Sequence, residues 1–479
     1  MLFNSFQFLF FFPVVVILYF LFPYQYRWLL LLVASCLFYA AFIPAYLLIL
    51  FLTIAVDYVA GIFIEEASGI RRKYLLILSI VVNVGILAAF KYYNFFITNI
   101  NELLTGIGIK TAPLPFLNII LPIGLSFHTF QAMSYTIEVY RKNQAAERHF
   151  GIYALYVMFF PQLAAGPIER PQNLLHQFKE NHHFSSQNLL DGLRLMSWGL
   201  FKKVVIADRL TTYVSAVYSE PGQYHYLNLI IATVCFSIQI YCDFSGYSDM
   251  AIGIAKVIGF DLMINFRRPY FASNIQEFWK RWHISLSTWF RDYLYIGLGG
   301  NRKGTRRTYI NVIIIFLVSG FWHGANWTFI IWGALHAVYI VVFMLKQTIF
   351  KAAAKPSFIT YAAGLVFTYC IVTVAWVFFR ANNLHEAVLI LKNIFTAQQN
   401  QPFRWILGEA GNAITFGQSS ILIALLMVIY MIVIERKYPP NLETFNKTKY
   451  EDIAFMSFNL IMIICLGVFQ KASFIYFQF

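Results

Sequence analysis

Most of the residues that could do chemistry lie between positions 160 and 336. In Gly320-Phe321-Trp322-His323-Gly324-Ala325-Asn326-Trp327, a histidine separates two strongly apolar runs. An imidazole titrating near pH ~6.5 can serve as a general base. It can equally be a buried structural ring. Asn326 stands three residues on, where a helical turn would let it support His323 through a hydrogen bond. His336, in the following apolar run, and His128, in Phe127-His128-Thr129, read as structural. From Asn265 to Arg307, nine basic residues face two acids, Glu277 and Asp292, a local balance of +7. Aromatic residues interleave with them, and His283 sits among them. That pattern suits either lipid-headgroup anchoring or a pocket for a polyanion such as a nucleotide cofactor's phosphates. Tyr241-Cys242-Asp243-Phe244-Ser245-Gly246-Tyr247-Ser248-Asp249 places two carboxylates directly after an apolar run. They face a polar interior, or they sit at an interface with one capping the next helix. Pro161 to Pro171 holds three prolines and a glycine, which excludes a regular helix and predicts a structured turn.

The rest of the chain must position these residues. Of its 479 residues, 59% are apolar, 19% aromatic and only 12% charged. Soluble domains carry about 25% charged residues, so a soluble multidomain enzyme, a coiled coil and disorder are excluded. The composition predicts an all-α polytopic integral membrane protein forming a single unit over 1–479. Apolar runs place spans near 6–22, 28–43, 45–63, 74–90, 116–138, 227–242, 308–321, 325–345, 359–379, 419–434 and 453–469. Weaker runs near 150–161, 193–207, 246–260, 277–297 and 384–396 suit broken, re-entrant or interfacial helices. The total is about eleven to thirteen transmembrane helices, with 398–416 as an exterior loop.

The net charge of +14 sits in short loops such as Arg71-Arg72-Lys73, as expected beside an anionic inner leaflet, and implies no nucleic acid partner. Simple alternation puts Arg27 and Arg71–Lys73 in the cytoplasm and the N-terminus outside. The first apolar run lacks a basic start and a small-residue cleavage site, so it reads as a retained span. The five cysteines show no metal spacing and are expected as free thiols.

Residues 320–327, with Trp332-Gly333-Ala334-Leu335-His336, resemble the hallmark of the membrane-bound O-acyltransferases. Phe278-Trp279-Lys280-Arg281-Trp282-His283-Ile284-Ser285-Leu286-Ser287-Thr288-Trp289 is similar to a companion motif of the alginate, peptidoglycan and cellulose O-acetyltransferase branch. Asp243–Asp249 and Gly166-Pro167-Ile168 also resemble that branch; Glu169 stands where some members carry a basic residue. The motif-bearing core runs from about 120 to 340. The resemblance implies a funnel through the membrane with His323 and His283 as catalytic residues near its narrow point, supported by Asn326, Asp243 and Asp249. It implies acetyl-CoA as acyl donor, its phosphates held by Arg281, Arg302 and Lys303, and no metal. It further implies a polysaccharide acceptor, a separate extracytoplasmic acetyltransferase as partner, and the bacterial cytoplasmic membrane as the location. His323 would act as base or carry the acetyl group itself. A transporter for a lipid-linked glycan or small solute is the competing reading; it predicts inverted repeats, which the sequence does not display. A scaffold would leave the histidine in its apolar run without a purpose.

Overall fold

A lipid environment requires each backbone amide to be satisfied within its own segment, so an apolar chain of this kind becomes helical. The computed structural model describes residues 1–109, 113–349, 357–397, 415–438, 449–469 and 475; they are helical with connecting turns, and no strand occurs among them. The protein is an all-α, multi-pass membrane protein. Among the described residues, five helices are long and apolar enough to cross a bilayer: Tyr46–Glu66, Gly69–Gly106, Tyr226–Val257, Trp327–Ile349 and Phe358–Arg380. Other predicted spans coincide with shorter or more polar helices, such as Phe6–Leu21 and Arg27–Ala40.

Two boundaries differ from the sequence expectation. The span placed at 116–138 starts only at Leu125, because the chain turns through Pro122 and a left-handed Gly124 (φ 76°). The runs at 227–242 and 246–260 form one 32-residue helix, Tyr226–Val257. Asp243 and Asp249 therefore lie inside that helix, and neither caps a new one. The helix continues past them because buried lysines neutralise both. Residues 398–414, most of the expected exterior loop, lie outside the described residues.

The described residues form two compact units: Met1–Gly192 with Ala251–Met263, and Leu193–Met250 with Ile264–Phe479. In the first, Tyr46–Glu66 packs against Gly69–Leu87 and Leu125–Tyr140. The Pro161–Pro171 stretch, also in this unit, is a buried turn. Glu169 within it is fully buried, and its side chain accepts from the Met263 amide.

The second unit carries every candidate site residue. Its centre is an antiparallel hairpin of Thr305–His323 and Trp327–Ile349. A Cβ on Gly320 would run into the Phe329 carbonyl, and one on Gly333 into the Phe316 carbonyl. Only glycine lets these two helices approach so closely. Phe358–Arg380, capped by Ser357, packs on the second arm. The stretch expected as re-entrant is broken into Ile275–Arg281, Ile284–Trp289 and a wide turn Phe290–Tyr295. Asn274 caps the first piece by accepting from the Glu277 amide at 2.9 Å. Phe278, Trp282, Trp289 and Phe290 are buried in protein, so these rings build core and do not form a headgroup belt.

Candidate active site

His323 ends the helix Thr305–His323, and Gly324 terminates it in extended conformation. The imidazole is 5% exposed. Its ring centre lies 4.9 Å from Trp322, 4.9 Å from Trp332 and 5.4 Å from Phe379. A nitrogen base is thus set in an aromatic box, where water competes little for its proton.

Asn326 lies in the turn after His323. Its side-chain oxygen accepts from the Thr328 amide at 3.0 Å, and its amide donates to the Asn382 carbonyl at 3.0 Å. It fixes the turn and the start of Trp327–Ile349.

His283 joins two short helices in a left-handed conformation (φ 44°, ψ 55°) and is 1% exposed. Such a backbone costs a non-glycine residue about 1–3 kcal/mol and persists only where surroundings impose it. Here the Ile284 amide donates to the Asn265 carbonyl and the Arg267 amide to the Arg281 carbonyl, each at 2.9 Å. The Asn265 side-chain oxygen also lies 3.1 Å from His283 Nδ1 and accepts from the Ser285 amide and hydroxyl. Phe244 packs edge-on against the ring at 4.7 Å. Burial holds this imidazole well below its ordinary range, at about 3, so it is neutral at physiological pH.

One indole brings the two histidines together: Trp322 lies 4.9 Å from the His323 ring and 6.4 Å from the His283 ring. Asp243 and Asp249 are each paired with a lysine. Lys203 Nζ lies 2.6 Å from Asp243 and 2.8 Å from Asp208, and Lys202 Nζ lies 2.5 Å from Asp249. The Ile475 amide donates to Asp243 at 2.8 Å. The carboxylates form a buried ionic lattice that fixes Tyr226–Val257, the helix that also carries Phe244 to His283.

The three basic candidates divide. Arg281 is committed to Glu277 at 2.5 Å and to the Arg268 carbonyl. Arg302 and Lys303 are exposed on the loop before Thr305–His323, beside exposed Arg306; no ion pair engages these three among the described residues. Arg281, by contrast, has an acidic partner in Glu277. His336 is structural: it is fully buried, and its Nδ1 accepts from the Trp279 indole at 3.3 Å. No group of three or more His, Cys, Asp or Glu suited to a metal occurs among the described residues.

Sequence reasoning missed Asn265, Trp322, Lys202 and Lys203. Lys202-Lys203 inside an apolar run was a usable signal, because buried charge needs opposite charge nearby. Asn265 gave none, since its role depends on a fold-back 18 residues long.

The pattern of the membrane-bound O-acyltransferase family matches residues 131–382, which include both histidines. Probable alginate O-acetylase AlgI of Azotobacter vinelandii is 39% identical over 464 residues, covering 95% of this chain and 89% of that protein. The chain belongs to the membrane-bound O-acyltransferase family. Peptidoglycan O-acetyltransferase of Helicobacter pylori is 39% identical over 396 residues, covering 77% of this chain and 73% of that one. Teichoic acid D-alanyltransferase of Streptococcus thermophilus is 30% identical over 282 residues, covering 54% and 68%. As a membrane-bound O-acyltransferase, the chain is an enzyme that takes an acyl group from a donor and works within the bilayer.

Proposed function

We propose that this enzyme moves an acetyl group from cytoplasmic acetyl-CoA across the bacterial cytoplasmic membrane toward hydroxyls of an extracytoplasmic polysaccharide. The transfer is direct or passes through a separate extracytoplasmic acetyltransferase. The observation that carries this reading is the pairing of His323 and His283 against Trp322. The alginate and peptidoglycan named for its relatives supply the acceptor class.

In this mechanism His323 removes the proton from the acceptor hydroxyl as its oxygen attacks the thioester carbonyl. The tetrahedral intermediate then breaks its C–S bond. The sulfur leaves with the proton from His323, giving an acetyl ester and the free thiol. In the relay variant a His323 nitrogen carries the acetyl group between donor and acceptor.

The tautomer of His283 narrows its role. Asn265 Oδ1 can only accept, and the Ser285 amide donating to it fixes which atom is oxygen. His283 Nδ1 therefore carries the proton and Nε2 the lone pair. A lone pair orients a hydroxyl by accepting from it and does not stabilise an oxyanion. Arg302, Lys303 and Arg306 meet the phosphates of the donor. The deciding experiment feeds radiolabelled acetyl-CoA to sealed vesicles containing wild-type or His323→Ala protein at equal levels. Glycan labelling that survives in the variant overturns the assignment.

A further inference from the structure

The first unit contains a carboxylate with no cation. Asp57 lies midway along Tyr46–Glu66, is fully buried, and sits in a helix of spanning length. Two donor groups reach it through three hydrogen bonds. Ser79 Oγ donates at 2.6 Å, and the Asn83 amide reaches both carboxylate oxygens at 2.9 and 2.8 Å. Ser79 Oγ also lies 3.0 Å from Thr136 Oγ1. Among the described residues nothing basic joins the group: hydrogen bonds from Ser79 and Asn83 are the favourable interactions of Asp57. Two oxygens beside these residues are buried without a hydrogen-bond partner, the Asn83 side-chain carbonyl and the Tyr153 hydroxyl. Tyr153 is close enough to feel the Asp57 charge.

Neighbouring charges are engaged elsewhere. Arg72 donates to the Val139 carbonyl, Glu138 pairs with Arg141, and Arg148 bridges Glu65 and Glu66. Tyr135 accepts from the Glu147 amide. His128 Nε2 lies 2.6 Å from Thr53 Oγ1, whose own proton goes to the Leu50 carbonyl. That imidazole is then a donor to Thr53, and it is not among the groups that act on Asp57.

An unpaired negative charge at membrane depth is costly even on the mildest insertion scale. A buried carboxylate held only by neutral donors, with further buried oxygens nearby that lack partners, describes half of a site. We propose that Asp57, Ser79, Asn83, Thr136 and Tyr153 form a binding site for one monovalent cation, a proton or a sodium ion, held inside the helix bundle of the first unit. A single carboxylate with neutral oxygens matches a single positive charge. It does not match a divalent ion, which demands more carboxylate. The site is independent of the histidines and of the acyl-transfer reading.

The test is the thermal midpoint of detergent-purified protein from about pH 5 to about pH 9, with sodium or with choline as the only cation. Wild type should shift with pH, with sodium, or with both, and Asp57→Asn should lose that dependence because the amide needs no cation. Equal dependence in both proteins overturns the proposal. Should Asp57→Asn fail to accumulate, Ser79→Ala takes its place. It removes one donor to the bare carboxylate, so the pH dependence should move upward; an unmoved dependence again overturns it. Dicyclohexylcarbodiimide, which reacts with protonated buried carboxyls, then identifies the occupant. Labelling suppressed by sodium indicates sodium, and labelling indifferent to sodium indicates a proton.

Discussion

Asn265 holds His283 from two directions: its backbone carbonyl accepts from Ile284 and its side-chain oxygen meets His283 Nδ1 at 3.1 Å. A residue 18 positions upstream thereby sets both the left-handed backbone and the tautomer of one imidazole. Asn265→Ala is expected to lower kcat about tenfold or more while KM for the donor changes little, since positioning and not binding is lost. Asn265→Asp keeps an acceptor at Nδ1 and should recover part of the rate. A KM effect in place of a kcat effect would remove Asn265 from the reaction.

His323→Ala should cost about 10²–10⁴ in rate, the range of a lost general base, with the protein still inserted and folded. Detergent-solubilised yield and thermal midpoint serve as the folding control.

Neutral His283 cannot account for any rate change above about pH 5, because burial keeps its protonated form away until near 3. An acid limb in the rate profile between about pH 5 and about pH 7 is therefore expected to persist in His283→Gln. Its disappearance would move that titration from elsewhere to His283.

Lys203 bridges Asp208 and Asp243. Lys203→Met leaves two buried carboxylates without their cation and should destabilise the second unit by about 3–5 kcal/mol. Adding Asp243→Asn to that variant should recover part of the loss, as read by denaturation in detergent.

Charge reversal at Arg302 and Lys303 should raise KM for acetyl-CoA several-fold and flatten its dependence on salt, leaving kcat near wild type. Unchanged donor use would restrict these side chains to the lipid surface.

Fold class was legible because composition alone forces helices in a bilayer, and His323 stood out because a polar ring interrupts two apolar runs. Other features were hidden for identifiable reasons. Asp243 and Asp249 look like a helix break until Lys202 and Lys203 neutralise them. Hydropathy carries no trace of Gly124's left-handed turn, so the span at 116–138 began too early. The rings of Phe278 and Trp282 look interfacial by residue type, yet tertiary packing buries them. Nor did Arg281 reveal that Glu277, one turn earlier, had already claimed it.

The mutual approach of Gly320 and Gly333 has a consequence for how this enzyme tolerates change. With the hairpin arms locked backbone to backbone, register alone sets the depth of His323. One residue inserted into Thr305–Ser319 would swing every side chain beyond it by about 100° and about 1.5 Å along the axis. The glycine contact and the imidazole would be misplaced together. Chain-length variation in this protein should therefore collect in its connecting loops, while the segment between residues 305 and 333 keeps its length.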